Sequence, residues 1–396
     1  MFAALPTARS WVRRLLLAIA PLALAACDAV PVGGSIGRLI GNGDSVQVAL
    51  LVPGGSAASG EAVLAESLEN AARLAIADLG VGQTGAKIDL RVYNTAGQPG
   101  QAAQVATAAV NDGADIILGP VFGEAANAAG VAVAGRNINV LSFSNNPAIA
   151  GGNVFVLGPT FGNTARRLAG HAAGQGLTRI MIVHDRTTAG GIARAAIERA
   201  IAGTSAQVAG VASYEFSQQG IVEAAPGIAD QIKASGATAV FFTADTAGAL
   251  PLLTQLLADR GTGPDVVQYM GLTRWDIPPS TLELPGVQGG WFALPDPGLN
   301  RQFAARYTRA YGTGPHPIAG LAYDGIAAVG ALMQSGRADA LTRGRLTQAS
   351  GFVGVGGIFR LMPDGTNQRG LAIAEIREKQ VNVIDPAPRS FDPAGF

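Results

Sequence analysis

Two aspartates close apolar runs in the middle of the chain: Asp185 ends RIMIVHD and Asp245 ends TAVFFTAD. Ser56, Phe122, Gly123, Ser144, Asn145 and Trp275 stand just after other apolar runs. These residue types suit hydrogen bonding, ionic contact and apolar contact with a small molecule. Bond breaking would need a nucleophile with a base in reach. The sequence has no G-x-S-x-G, no Walker loop and no H-E-x-x-H. GFVGVGGIF, from Gly351, spaces glycines without a helical pattern after them, so it is not a dinucleotide loop. The single cysteine cannot form an internal disulfide, and His171, His184 and His316 are scattered without metal-ligand spacing. No enzymatic activity, metal or cofactor is expected. Each candidate also has a purely structural reading. Asp185 and Asp245 could be caps or turn residues, Ser56 a cap of the first helix, Phe122 a core residue, and Trp275 and Trp291 packing residues.

Bringing these positions together requires strands whose ends share one edge. VQVALLV (46–52) is a short continuous apolar run stopped by Pro53-Gly54-Gly55, as a buried parallel strand should be. A helix over about 61–79 follows from Leu64, Leu68, Ala71, Ala75 and Leu79. Further strands are expected at 87–94, 114–120, 138–144 and 153–159, with helices at 101–111 and 123–136. The alternation then restarts, with strands at 179–185, 207–216, 238–245 and 265–271 and helices at 164–175, 191–202, 224–235 and 247–259. Such blocks make doubly wound sheets, and ligands bind beyond the carboxyl ends of their strands. The loops in question are 53–58, 94–98, 119–124, 142–146, 185–190, 245–247 and 272–275. After Gly289 the pattern changes to a strand (289–297), helices at 301–311 and 321–334, and a hairpin over 357–376. Tyr323-Asp324 is expected to support the junction between the blocks.

Hydrophobic residues make up 48% of the 396, and 28 basic residues balance 28 acidic ones. That supplies a large core and gives no basic surplus for nucleic acid. The N-terminus has signal-peptide order: Arg9, Arg13 and Arg14, an apolar stretch from Leu15 to Ala25, then small residues before Cys27. Leu24-Ala25-Ala26-Cys27 resembles a bacterial lipobox. This implies cleavage after residue 26, lipidation of Cys27 and anchoring to a membrane surface. An ordinary signal peptide with an incidental cysteine is the alternative. Residues 27–44 read as a Gly-rich flexible tether, or in part as a short covering element.

VQVALLVPGG, IILGPVF, INVLSFSNNP, RIMIVHDRTTAGG and RYTRAYGTGPHPIAGLAYDGIAAV, in this order and spacing, resemble the Leu/Ile/Val-binding type of periplasmic binding protein. GGWFALPDPGLNRQFAARYTRAYG, LAYDGIAAVGAL and GFVGVGGIFRLMPDGTNQRGLAIAEI resemble, within that family, the penicillin-binding-protein activator lipoproteins. The resemblance implies an α/β fold: two doubly wound α/β lobes with a central cleft and three interlobe crossovers, the type I periplasmic binding protein. The expected divisions are 1–26 signal peptide, 27–44 lipidated Cys and tether, 45–160 plus 289–345 lobe 1, 161–288 plus 346–380 lobe 2, and 381–396 tail.

It further implies a cleft in which a Ser and a Thr bind a ligand carboxylate and an acidic residue of the second lobe binds an ammonium. The serine position falls here at Phe122 and Gly123, which lack a hydroxyl. The Ala-Thr pair falls at Asn145-Asn146 or Ser144-Asn145. Asp185 is followed by Arg186 and not by the family's aromatic, Asp245 is the acidic contact, and Glu124 would repel a carboxylate. The expected ligand cleft is therefore Ser56, Phe122, Gly123, Ser144, Asn145, Asp185, Asp245 and Trp275, and free amino acids fit it poorly. Two functions are expected. The first is a non-enzymatic envelope lipoprotein that regulates a peptidoglycan synthase. The alternative is the substrate-binding lipoprotein of an ABC importer, partnered by a permease, for amino acids or another small polar solute.

Overall fold

The computed structural model describes Met1 and residues 45–81 and 87–391. The expected signal peptide, Cys27 and the 27–44 tether lie outside the described residues. Among the described residues no helix is long and apolar enough to cross a membrane.

The first lobe carries strands β1 (Ser45–Val52), β2 (Lys87–Asn94), β3 (Ile116–Leu118), β4 (Val140–Ser142) and β5 (Val154–Val156), with helices α1 (Glu61–Val81), α2 (Pro99–Asn111) and α3 (Gly123–Val133). All its strand pairs are parallel, in the order β2-β1-β3-β4-β5. Both faces are covered, which is why β1 reads as a continuous apolar run. Val46, Val48, Leu50 and Val52 pack with Leu64, Leu68, Ala71 and Ala75 of α1. On the other face Ala49 and Leu51 pack with Ala102, Ala106 and Ala109 of α2 and Ala125 and Ala129 of α3. The chain therefore leaves β1 toward one face and β3 toward the other. A crevice opens between their carboxyl ends, the switch point of a doubly wound sheet.

The second lobe repeats the arrangement. Helix α4 (Phe161–Gly174) leads into β6 (Arg179–Asp185), α5 (Thr188–Ala202), β7 (Gln207–Tyr214), α6 (Gln218–Ser235), β8 (Ala239–Phe242), α7 (Ala249–Ala258), β9 (Gln268–Gly271) and β10 (Trp291–Leu294). The sheet is completed by β14 (Ala372–Arg377) and β15 (Gln380–Asp385), in the order β15-β14-β10-β9-β8-β6-β7. Helices α4 and α5 cover one face and α6 and α7 the other, so the second switch point lies between β6 and β8. Helices α8 (Pro297–Tyr311) and α9 (Gly320–Met333) return to the first lobe, where Phe303, Tyr307, Ile326 and Val329 join the α1 core.

Three expected boundaries are corrected. Residues 289–296 belong to the second lobe, because Trp291–Leu294 pairs parallel with β9 and antiparallel with β14. Most of 346–370 belongs to the first lobe. There β11 (Phe352–Gly354), β12 (Gly357–Leu361) and β13 (Asn367–Arg369) form a small antiparallel sheet, and Leu346, Phe352, Val355, Phe359 and Leu361 pack into the α1 core. The expected hairpin is thus β12–β13, and β14 leaves it for the other lobe. Finally, 381–385 is no loose tail but an edge strand. Asp385 at its end accepts from Arg167 Nη2 at 2.9 Å and lies 3.0 Å from His171 Nδ1, both on α4. Periodicity reports an element's type and buried face; it does not report which sheet the element joins.

The chain crosses between lobes at about 157–160, 295–296 and 370–371. The first and third crossings are tied together. Asn163 Nδ2 donates to Asn367 Oδ1 at 2.6 Å, and Asn367 Nδ2 donates to the carbonyls of Val156 (2.7 Å) and Gly158 (2.9 Å). Arg369 Nε donates to the Leu157 carbonyl at 2.8 Å while its Nη1 pairs with Asp324 at 3.0 Å. Asp324 also accepts from Val355 N at 2.8 Å. Burial pushes the Asp324 carboxyl up, and the Arg369 guanidinium opposes that rise. Asp324 thus anchors the junction as expected. Tyr323 turns away from it and donates to Asp78 Oδ2 at 2.7 Å, beneath Arg306.

Burial first, then Asp78, pushes the Tyr323 hydroxyl from 10.0 up to about 12. A folded-state value above the unfolded one means that its stabilisation is complete below pH 10 and is lost as pH rises toward 12. Denaturation midpoints are therefore expected to fall across that window, and less steeply in Tyr323→Phe. Tyrosinate absorbance read in parallel checks the assignment.

Candidate functional site

At the first switch point, three loops converge on the end of β1. The Thr95 hydroxyl donates to the Val52 carbonyl at 3.0 Å, fixing the turn after β2 against β1. Gly97 in that turn has φ +68°, and a side chain on it would start 2.8 Å from Glu61 Oε2 and 3.2 Å from Phe122 Cε2. Only glycine fits there, so the Glu61 carboxylate and the Phe122 ring close over bare backbone. Gly119, after β3, has φ +85°, and a side chain there would collide with the Leu51 carbonyl. That close approach carries the chain to Phe122, which heads α3 and is 37% exposed. Gly123 follows, with Asn146 Nδ2 and Ser144 Oγ 3.4 Å and 3.5 Å from where a side chain would begin. Ser144 is buried and its Oγ accepts from Asn146 N at 3.1 Å.

Phe122, Gly123 and Ser144 are thus brought together, with Glu61 and Gly97 beside them. Asn145 is exposed next to them. Ser56 stands apart. Its Oγ accepts from Ala58 N at 3.1 Å, closing a turn within the loop ahead of α1. Glu61 Oε2 is buried with no hydrogen-bond partner.

At the second switch point Asp185 is buried and fully engaged. Its Oδ1 accepts from Thr187 N at 3.0 Å and from the Thr187 hydroxyl, and its Oδ2 accepts from Thr243 at 3.4 Å. Asp185 therefore stitches β6 to the head of α5 and to the end of β8. As a direct ligand contact it is corrected to a positioning residue. Asp245 is exposed, and its Oδ1 accepts from Gly248 N at 2.7 Å. Phe216, 56% exposed, reaches within 3.6 Å of where a Gly248 side chain would begin. Tyr214, next to Asp185 in strand register, is wholly buried, yet its hydroxyl has no partner. Burial first, then the Asp185 and Asp245 charges, push that hydroxyl well above the usual tyrosine range.

Trp275 is corrected outright. It is wholly buried in the second-lobe core, pressed against Gly271 and Gly290, where any side chain would collide with its ring. It packs the lobe and does not line the cleft.

The first rim carries Glu61 and the second Asp245, with Asp185 buried beneath it. The nearby guanidiniums are already paired, Arg186 with Glu215 and Arg274 with Asp276. The arrangement supplies hydrogen-bond acceptors and two exposed phenyl rings. Among the described residues no group of three or more His, Cys, Asp or Glu could hold a metal ion. Sequence reasoning missed Glu61, Tyr214 and the Asn163–Asn367–Arg369 ties. For Glu61 the sequence shows only an acid opening the helix after the switch strand, which is an ordinary place for an acid.

A family model described as periplasmic binding protein matches residues 45–380, and the chain belongs to that family. Solved structures share the fold. A Rhodospirillum rubrum protein provisionally assigned to a branched-chain amino acid ABC transporter is 20% identical with a TM-score of 0.74, the match covering 86% of this chain and 100% of that one. An ABC transporter substrate-binding protein from Desulfitobacterium hafniense, in complex with Leu, is 18% identical with a TM-score of 0.64, covering 86% and 100%. A solute-binding protein of an ABC transporter from Rhodopseudomonas palustris BisB5, in complex with 3,4-dihydroxybenzoic acid, is 19% identical with a TM-score of 0.59, covering 89% and 99%. No curated protein matches the chain. The family places the protein in the periplasm.

Proposed function

We propose that the protein is a non-enzymatic solute receptor of the cell envelope. Its lobes close over a small polar solute, and the closed form engages an ABC permease. The observation that carries this is the pair of switch points, one per lobe, on lobes joined by three crossings, of which the first and third are tied to each other by Asn163, Asn367 and Arg369. Such ties let the lobes pivot while their cores stay intact. The relatives with ligand-bound structures support the reading. A solute at a hundredfold over its Kd stabilises the folded state by about 2.7 kcal/mol. A thermal-shift screen of amino acids, amines and aromatic acids should give at least one such shift, and a flat screen would contradict the receptor.

A second reading, regulation of a peptidoglycan synthase, is favoured by one observation. Phe122 and Gly123 carry no hydroxyl where the resemblance implies one for an amino-acid carboxylate. Recovery of a synthase on the tagged protein from envelope extracts, with altered peptidoglycan synthesis on deletion, would support it over import. Both readings include a lipid on Cys27. Cys27→Ser is expected to move the protein from the membrane to the soluble fraction, and mass spectrometry of the mature N-terminus should show acylated Cys27 as its first residue.

A further inference from the structure

Glu61 Oε2 in the first lobe and the Tyr214 hydroxyl in the second are buried without hydrogen-bond partners, a state shared by Trp275 Nε1, Arg306 Nε and Arg369 Nη2, and of these only Glu61 can pair with a cation. Glu61 Oε2 is buried without a hydrogen-bond partner, at the carboxyl end of β1 where the first lobe switches. The start of α1 accounts for a carboxylate at this place, since the helix dipole favours negative charge there. It does not account for an oxygen withdrawn from water and left without a donor, which is an unfavourable state. Glu61 has no salt-bridge partner among the described residues. The Phe122 ring lies beside it over Gly97, and its exposed remainder faces outward. A carboxylate flanked by an exposed aromatic ring is a site for an organic cation, which pairs with the one and lies against the other. In the second lobe the wholly buried Tyr214 leaves its hydroxyl free, and Asp245 and Phe216 stand exposed at the same switch point.

We infer that the cleft takes an organic ammonium with an apolar body, its cationic end held in the first lobe by Glu61 and Phe122. This rests on the receptor reading and names the class of solute.

Benzylamine and benzoate share a ring and differ in charge, so they separate the classes. Calorimetric titration of the purified protein is expected to show benzylamine binding at least tenfold tighter than benzoate or leucine. Glu61→Gln keeps the shape and should weaken benzylamine at least tenfold while removing the preference for it. Phe122→Leu should weaken it several-fold, with both variants keeping the wild-type melting temperature. Tighter binding of benzoate or leucine, or benzylamine binding untouched by Glu61→Gln, overturns the inference and leaves the receptor reading standing. Failure of all three probes to bind overturns the inference, and a flat thermal-shift screen would then remove the receptor reading as well.

Discussion

Arg369→Ala is expected to lower the unfolding free energy by about 3–5 kcal/mol, the range for breaking one side of a buried ion pair. Arg369 and Asp324 are both buried, and their carboxylate–guanidinium contact is 3.0 Å. Removing the guanidinium leaves a carboxylate that burial already disfavours in its charged form. It also orphans the Leu157 carbonyl on the first crossing and takes a cation from the Phe359 ring. The loss should fall as pH drops, because protonating Asp324 relieves the stranded charge. Chemical denaturation at two pH values reads both effects. The pair Arg369→Met with Asp324→Leu, which leaves no unpaired charge, should lose much less than Arg369→Ala. A loss below about 1 kcal/mol for Arg369→Ala would mean that the charges are solvated and the crossings are held by other contacts.

Trp275→Ala is the second large effect, expected at about 3–5 kcal/mol for a fully buried aromatic. The ring fills a slot made by Gly271 and Gly290, neither of which could carry a side chain in its presence. Removal leaves a cavity that two glycines cannot collapse to fill. The ring does not reach the cleft, so solute affinity measured well below the melting transition should stay within a few-fold of wild type. A tenfold loss of affinity in a folded Trp275→Ala protein would contradict the burial assignment.

The elements behind these two effects are not equally legible in the sequence. Alternating apolar runs and helical patterns locate nearly every strand and helix of both lobes, because burial of each sheet face writes itself into local periodicity. Strand β6, expected and observed over 179–185, is one such case. Partner choice is not local. GGWFALPDP reads as a strand, and only the pairing of Trp291 with Met270 and Glu375 assigns it to the second sheet. The same limit explains the misplaced 346–370 segment.

Phe122, Gly123 and Ser144 follow strand ends, and the structure brings them close together. Asp185 shared that position, but its partners are two threonines whose contact depends on the fold. Trp275 was ambiguous for the same reason: a tryptophan after a strand can face either way, and the glycines that receive it lie four and fifteen residues off. Glu61 and Tyr214 were hidden by ordinary roles, an acid opening a helix and a tyrosine in a strand. Their buried polar atoms lack a partner, as does the Trp275 indole nitrogen, and no pattern of residue types records that.

Closure of the lobes is read from the distance between the two rims. With Cys27 replaced by serine, spin labels at the exposed positions Asn145 and Ala247 report on the first and second lobes. Pulsed electron resonance is then read without solute and with whichever of benzylamine, leucine or benzoate raises the melting temperature most. A receptor that closes on its ligand should give a single shorter distance on solute addition, with the unbound distance recovered on its removal. An unchanged distance distribution at saturating solute would contradict a receptor that closes on its ligand.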